Sequence, residues 1–422
     1  MNREDFPLLA DGKWAYLDNA ATTQRPQPVL DALAEAAVTC NANVHRSPHG
    51  LGREMTRRFE EARDKVGRFF GASEHYTVVF TSGATGAINL VAHSYLEAFC
   101  QPGDRILTLG SEHHSNFVPW QQLCKRQGLD FQVVPILPSG QPDWAWFRQA
   151  LSPATKLVAL AHVTNTFGVV NPVEEVIRLA HERGIPVLVD GAQAAGHRPV
   201  DVERLGCDFY CVSAHKMYGP TGIGALLART QLLERMPPLQ FGGEMVERVT
   251  VEDTRFQPPP YRFEAGTPHF LGAVGFAAAV DYLGQVGLEQ AAREEQTLAR
   301  ALWEGLRAIP EVELPVSGPP QAGIVSFSLP PFHPYDVAVL LLTSKGWPCA
   351  AAPTAPIPCS TRWACPRAWC GPLWGCTTPW RTWNACAGRS GGLPPSNCEG
   401  GCCHDAAGKT GGVPPRAGKP GG

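Results

Sequence analysis

Lys216 stands in SAHKMYGPTGIG at 213–224, after a β-rich run and before a turn rich in glycine and proline. An amine placed there can form a Schiff base with an aldehyde cofactor. Taken alone, a loop lysine is more often a solvated surface cation. Upstream, VLVDGAQAAG at 187–196 reads as an apolar strand ending in Asp190, and open α/β sheets bind ligands beyond the carboxyl ends of their strands. A carboxylate there can hold the proton of a pyridinium nitrogen and make the ring a better electron sink, or it can cap a following helix. Gln193 suits a donor to the phenolic oxygen of such a ring, although an ordinary polar loop residue reads the same way.

Two more segments add to this chemistry. TSGATGAINLV at 81–91 runs from a β-rich stretch through a glycine-rich turn into a helical pattern. Backbone N–H groups and the helix dipole then converge on one point, a geometry that binds phosphate. SEHHSNFVPW at 111–120 follows a second β-rich stretch. There His113 can stack its imidazole on a planar ring, or be a surface or core histidine. Phosphate turn, stacking histidine, Asp-x-x-Gln and Ser-x-His-Lys, in that order, are what a pyridoxal-phosphate (PLP) enzyme of fold type I needs.

The elements that must hold these groups alternate. TVVFT, RILTL, FQVVPI, KLVALAH, PVLVD, CDFYCVS and IGALLA are short β-rich runs, interspersed with helical patterns such as GAINLVAHSYLEAF and VEEVIRLAHERG. This predicts an α/β fold: a mainly parallel seven-stranded sheet with helices on both faces. Residues 272–308 read as long helices followed by a strand-like GIVSFSL, the makings of a smaller α+β domain. The expected division is a large domain over 18–265, a small one from 1–17 and 266–345, and a separate tail. A chain of 422 residues exceeds the roughly 250–300 at which a single core stops growing. The net charge of -3 gives no basic field for nucleic acid or anionic membrane, so a small-molecule substrate is expected. MNREDFPLLADGKW lacks an apolar core of signal-peptide length, and a cytoplasmic location is expected. Cys40, Cys100, Cys124, Cys207 and Cys211 read as reduced, mostly buried thiols.

YLDNAATTQ (16–24), NVHRSPHGLG (43–52), HVTNTFGVVNP (162–172) and RFEAGTP (262–268) join these motifs in one register. Over roughly residues 10–345 the chain resembles the class V aminotransferase superfamily, and most closely the Suf-type group of cysteine desulfurases. The resemblance implies a homodimeric, PLP-dependent fold-type I enzyme that converts L-cysteine to L-alanine and enzyme-bound sulfur for iron–sulfur cluster assembly, handing the sulfur to an acceptor protein. It implies that Lys216 carries the cofactor, that Asp190 partners the pyridine nitrogen and Gln193 the phenolic oxygen, and that Ala84, Thr85, Ser213 and His215 form the phosphate site. By the same resemblance His113 stacks on the ring and moves protons, Asn165 holds substrate or ring, His49 lies near the substrate entrance, and Gly266 and Thr267 reach the phosphate of the other subunit.

After Lys345 the texture changes. Residues 346–422 hold twelve prolines, nine cysteines and six tryptophans but only two acids and four Leu, Ile or Val. Neither structural period survives, and so little aliphatic surface does not offset the entropy of ordering, so disorder is expected. Family desulfurases take sulfur on a loop cysteine and bind the substrate carboxylate with a downstream arginine. Where an Arg-x-Gly-His-His-Cys pattern is expected, the chain reads GWPCAAAPTAPIPCSTRW. With synonymous codons free, VAVRGGHHCAHPLLDALGVP displaced by one base becomes residues 347–366 except at Pro353, and VVRASVGLYNTLEDVERL becomes 369–386. A frameshift between about 343 and 347 accounts for both matches. No zinc pattern occurs, Cys402, Cys403 and His404 being too compact for a tetrahedral site, and no metal is expected. The alternatives are a selenocysteine lyase or other class V PLP lyase or aminotransferase, and a non-catalytic PLP-binding remnant.

Overall fold

The computed structural model describes residues 1–12 and 14–345, with the backbone of 353–354 and 369–370. The expectations for the tail, including the frameshift, lie otherwise outside the described residues. Seven strands form the main sheet: β1 (Tyr76–Thr81), β2 (Arg105–Leu109), β3 (Asp130–Val134), β4 (Thr155–Ala161), β5 (Val187–Asp190), β6 (Phe209–Ser213) and β7 (Gly224–Arg229). Their order is β1-β7-β6-β5-β4-β2-β3. Every neighbouring pair is parallel except those made by β7, which runs antiparallel to both β1 and β6. The α/β expectation and the mainly parallel seven-stranded sheet are therefore correct.

Strands covered on both faces read as near-continuous apolar runs, and β5 and β6 are buried at every position. Alternate residues supply two cores. Val187, Val189, Val158 and Leu160 belong to one, with side chains of helices α2 (Gly50–Phe69), α5 (Trp144–Ala150), α6 (Val173–His181) and α7 (Phe270–Val286). Leu188, Leu157 and Ala159 belong to the other, under α3 (Ala84–Phe99) and α4 (Val118–Gln127). In α2 the buried residues Met55, Phe59, Ala62, Arg63 and Val66 recur at helical spacing. Burying Phe59 alone stabilises by about 1.5–3 kcal/mol, and Phe59→Ala would cost about 3–5 kcal/mol once the cavity is included.

Helix α7 packs against α1 (Gln27–Thr39) and α2. It is followed at an angle of 77° by α8 (Leu288–Arg307), and no single helix among the described residues is long and apolar enough to cross a membrane. The strand expected over GIVSFSL is a correction: Ile324, Val325 and Phe327 are buried, but among the described residues the segment makes one bridge, Ser328 with Glu313. Its alternation reported burial correctly. A ladder needs a neighbour offering a row of N–H and C=O groups, and a single bridge is not one.

Candidate active site

Strand β6 ends at Ser213 and passes directly into a single 3-10 turn, Ala214–Lys216. Gly196 backs this turn so closely that a Cβ there would lie 2.8 Å from the Lys216 carbonyl oxygen and 2.9 Å from the Met217 Cα. The turn is also tied to the YLDNAATTQ segment. The His215 carbonyl accepts the Thr23 N–H at 2.9 Å and the Thr22 and Thr23 hydroxyls at 3.2 and 3.0 Å, while the Tyr218 N–H donates to Thr23 Oγ1 at 2.7 Å. A backbone fixed at so many points leaves Lys216 little choice of direction.

Asp190, at the end of β5, is 6% exposed. Burial raises its pKa, opposed by the Ala192 N–H that it accepts at 2.9 Å and by the charge of Lys216. Burial lowers the Lys216 pKa, opposed by Asp190. Acid and amine are thus close enough for each to lower the cost of charging the other, and a desolvated lysine has its electron pair available for attack.

The phosphate turn meets the lysine strand. Gly224 of β7 pairs with Thr81 of β1 on one side and Ser213 of β6 on the other, and a Cβ on it would fall 2.2 Å from the Val212 carbonyl oxygen and 2.6 Å from the Gly83 Cα. Only a residue without a side chain lets these three chain ends converge. The Ala84 N–H, first in α3, donates to Ser213 Oγ at 2.8 Å. Thr85 Oγ1 lies 2.7 Å from Ser115 Oγ, which in turn lies 3.0 Å from His113 Nδ1.

His113 Nδ1 also accepts the Ser115 N–H at 3.1 Å, which assigns the neutral ring its Nε2–H tautomer. Although the residue as a whole is solvent-exposed, protein around the ring and the nearby Lys216 and His114 push its pKa down to about 4. His215 is pushed down to about 4 by burial, then by Lys216 and Arg25. Gln193 is buried, its Nε2 donating to the Ala20 carbonyl at 2.9 Å. Asn165 lies half-buried in the loop after β4.

Lys216, Asp190, His113 and His215 are thus brought together electrostatically, and Ala84, Thr85 and Ser213 converge beside them. His49 caps a helix: its Nδ1 accepts the Gly52 N–H at 3.2 Å at the start of α2. Gly266 donates its N–H to the Gly243 carbonyl at 3.0 Å, and Thr267 is exposed. This segment is anchored just upstream by Glu264, whose carboxylate accepts the Phe80 N–H of β1 at 2.7 Å and grips buried Arg63 at 2.6 and 2.9 Å.

Sequence reasoning passed over Ser115 and Glu112. Glu112 is buried, accepting the Ala161 N–H at 2.8 Å and the Asn116 Nδ2 at 2.6 Å; Trp120 Nε1 fixes Asn116 by donating to its Oδ1 at 3.0 Å. Burial pushes the Glu112 pKa up to about 8, with Asp190 adding to the rise. The signal for Glu112 lay in the pairing of β4 with β5, which sets Ala161 opposite Asp190, and that register is not visible in either strand alone.

The donors at the start of α3, the acid at the end of β5 and the amine between them fit a flat cofactor with phosphate at one end and a basic ring nitrogen at the other. No group of three or more His, Cys, Asp or Glu among the described residues could hold a metal ion.

The family profile of class-V aminotransferases matches residues 15–350. A cysteine desulfurase of Klebsiella pneumoniae is 46% identical over 345 residues, covering 80% of this chain and 84% of that protein. A probable cysteine desulfurase of Xylella fastidiosa is 44% identical over 343 residues, covering 80% and 82%. Among solved structures, a cysteine desulfurase of Escherichia coli superposes with a TM-score of 0.75 at 35% identity over 81% of this chain and 85% of that one. The apo cysteine desulfurase of Thermococcus onnurineus gives 0.76 at 38% identity over the same shares. With the motif order, the sheet order and these likenesses in agreement, the chain belongs to the class-V aminotransferases and, within them, to the cysteine desulfurase family.

Proposed function

We propose that the fold is that of a Suf-type, homodimeric desulfurase that takes L-cysteine to L-alanine and sulfur destined for iron–sulfur clusters, and that the chain as written is impaired in the sulfur-accepting step. The observation that carries the first part is the placing of half-buried Lys216, in the turn that follows β6, beside buried Asp190, at the end of the neighbouring strand β5, with each lowering the cost of charging the other. Bound there, PLP supplies an electron sink for an amino acid joined to it through its amine. Lys216 would be the nucleophile toward the cofactor aldehyde, desolvation shifting its amine toward the uncharged form. Asp190 holds the proton on the ring nitrogen. Gln193, already fixed to Ala20, serves the phenolic side. Ala84, Thr85, Ser213 and His215 orient the phosphate, and Gly266 and Thr267 complete that site from the other subunit. His113 is neutral near pH 7, and with Nδ1 engaged as an acceptor it would present its Nε2–H to the ring or substrate as a hydrogen-bond donor. Asn165 and His49 border the amino-acid substrate.

The second part rests on sequence. Residues after 345 contain no Arg-x-Gly-His-His-Cys pattern, so the thiolate that must attack the substrate sulfur and the guanidinium that would pair with its carboxylate are both missing from their places. The test compares alanine and sulfide release from L-cysteine by the 422-residue chain and by its frame-corrected version, both loaded with PLP. The corrected chain should turn over far faster, while both hold the cofactor. Equal rates would show that the loop is dispensable and would favour a lyase.

A further inference from the structure

The phosphate turn and the ring-stacking histidine are joined by one hydroxyl that neither role requires. Thr85 Oγ1 to Ser115 Oγ is 2.7 Å, and Ser115 Oγ to His113 Nδ1 is 3.0 Å. Ser115 sits in the 3-10 turn His114–Asn116, with His113 as its N-cap. This turn is held from beneath by the buried Glu112–Asn116–Trp120 chain, so the three polar groups form a fixed line from the start of α3 to the imidazole.

A hydroxyl has one proton to give, and the line therefore has two settings. In one, Thr85 donates to Ser115 and Ser115 donates to His113 Nδ1. In the other, Ser115 donates to Thr85, which frees the Thr85 proton for an outside acceptor and leaves Ser115 Oγ offering only lone pairs to the imidazole. A phosphate dianion is purely an acceptor, so a phosphate held by Thr85 requires the second setting. Two hydroxyl hydrogens rotate and no proton is transferred.

We propose that Ser115 is a positioning residue that couples phosphate capture at Thr85 to the proton affinity of His113. The inference rests on the functional reading above, in which Thr85 holds the cofactor phosphate and His113 lies over its ring. Without phosphate the Ser115 hydroxyl supports the neutral imidazole. With phosphate that support is withdrawn and the ring becomes more basic when the cofactor is seated. Lys216 and His114, the charged or titratable neighbours that act on this ring, depress its basicity; inorganic phosphate leaves both unchanged and so isolates the switch, whereas with PLP the loss of the free Lys216 amine adds to the rise.

The experiment titrates His113 in the full 422-residue chain by nitrogen NMR of labelled histidine, its signal assigned by loss in His113→Gln. Spectra are taken without ligand, with inorganic phosphate and with PLP. In the parent, phosphate should raise the His113 midpoint. Ser115→Ala should raise the ligand-free midpoint by about half a unit to one unit, the worth of one hydrogen bond to the neutral form, and should shrink the response to phosphate to its Coulombic part. Ser115→Thr, which keeps the hydroxyl, should restore the parent's behaviour. Phosphate binding with the same midpoints and the same response in parent and Ser115→Ala would overturn the coupling and leave the functional reading standing. Failure of the parent to bind PLP would overturn both.

Discussion

Replacing Glu264 by Gln removes the carboxylate from a pair in which the side chains of Arg63 and Glu264 are only 9% and 5% exposed. The guanidinium keeps its bond to the Val78 carbonyl at 2.9 Å and to Glu60 at 2.9 Å, and it stays stacked over Phe80 at 4.8 Å. Deleting one partner of a buried pair costs about 3–5 kcal/mol, because the other charge is stranded. With Glu60 still available the lower end applies, so the expected loss is about 3 kcal/mol, or roughly 6–12 °C in thermal midpoint for a domain of this order of size. The Gly266–Thr267 segment should lose its tether to β1 at the same time, and PLP affinity should fall. The assay is circular-dichroism melting of the PLP-loaded protein beside the double variant Arg63→Met/Glu264→Gln, which removes both charges, keeps an acceptor for the Phe80 N–H and should recover most of the loss. A midpoint shift under about 2 °C in Glu264→Gln, or a double variant no better than the single one, would refute the reasoning.

Lys216→Ala should abolish the visible absorption of cofactor bound to the protein, and an unchanged spectrum would remove Lys216 from its assigned role. Asp190→Asn should retain some PLP yet lose most catalytic rate, since an amide cannot hold the ring-nitrogen proton electrostatically; undiminished turnover of the frame-corrected variant would contradict the assignment. The folded Glu112 pKa of about 8 against an ordinary 4.5 means that the native state binds a proton the unfolded chain has released. Stability from this group is therefore complete below about pH 4.5 and falls through pH 8, by on the order of 5 kcal/mol in all. Glu112→Gln, which does not titrate, should show a flatter dependence of thermal midpoint on pH over that window, and parallel curves would refute it.

How far the molecule is legible in its sequence differs by element. The apolar runs VLVD and FYCVS read as buried strands because a strand covered on both faces has no polar positions to obscure it. GIVSFSL carries an equally good alternation and forms no ladder, because burial shapes composition whereas pairing depends on what lies alongside. Lys216, Asp190, Gln193 and His113 stand out in the sequence as candidates because each sits in a short motif at a strand end. Ser115 and Glu112 are not, since their partners Thr85 and Ala161 come from other strand ends and only the assembled sheet brings them near. The sequence motif points His49 toward a ligand, and its observed partner is the Gly52 N–H of its own helix, a local competitor that any residue before a helix meets.

The position of β7 bears on how such a site comes into being. The last strand of the sheet to be synthesised lies between the first and the sixth, pairing Gly224 with both Thr81 and Ser213. Until that strand is made, no backbone pairing holds the turn leading into α3 to the lysine turn, which leaves the Ala84–Ser213 hydrogen bond without its frame. Local pieces can form earlier, but closing so long a loop is paid for in chain entropy before any contact rewards it. A growing polypeptide therefore carries the motifs from the phosphate turn to Lys216 before it has the strand that frames them, and the grip on a ligand belongs to the finished sheet.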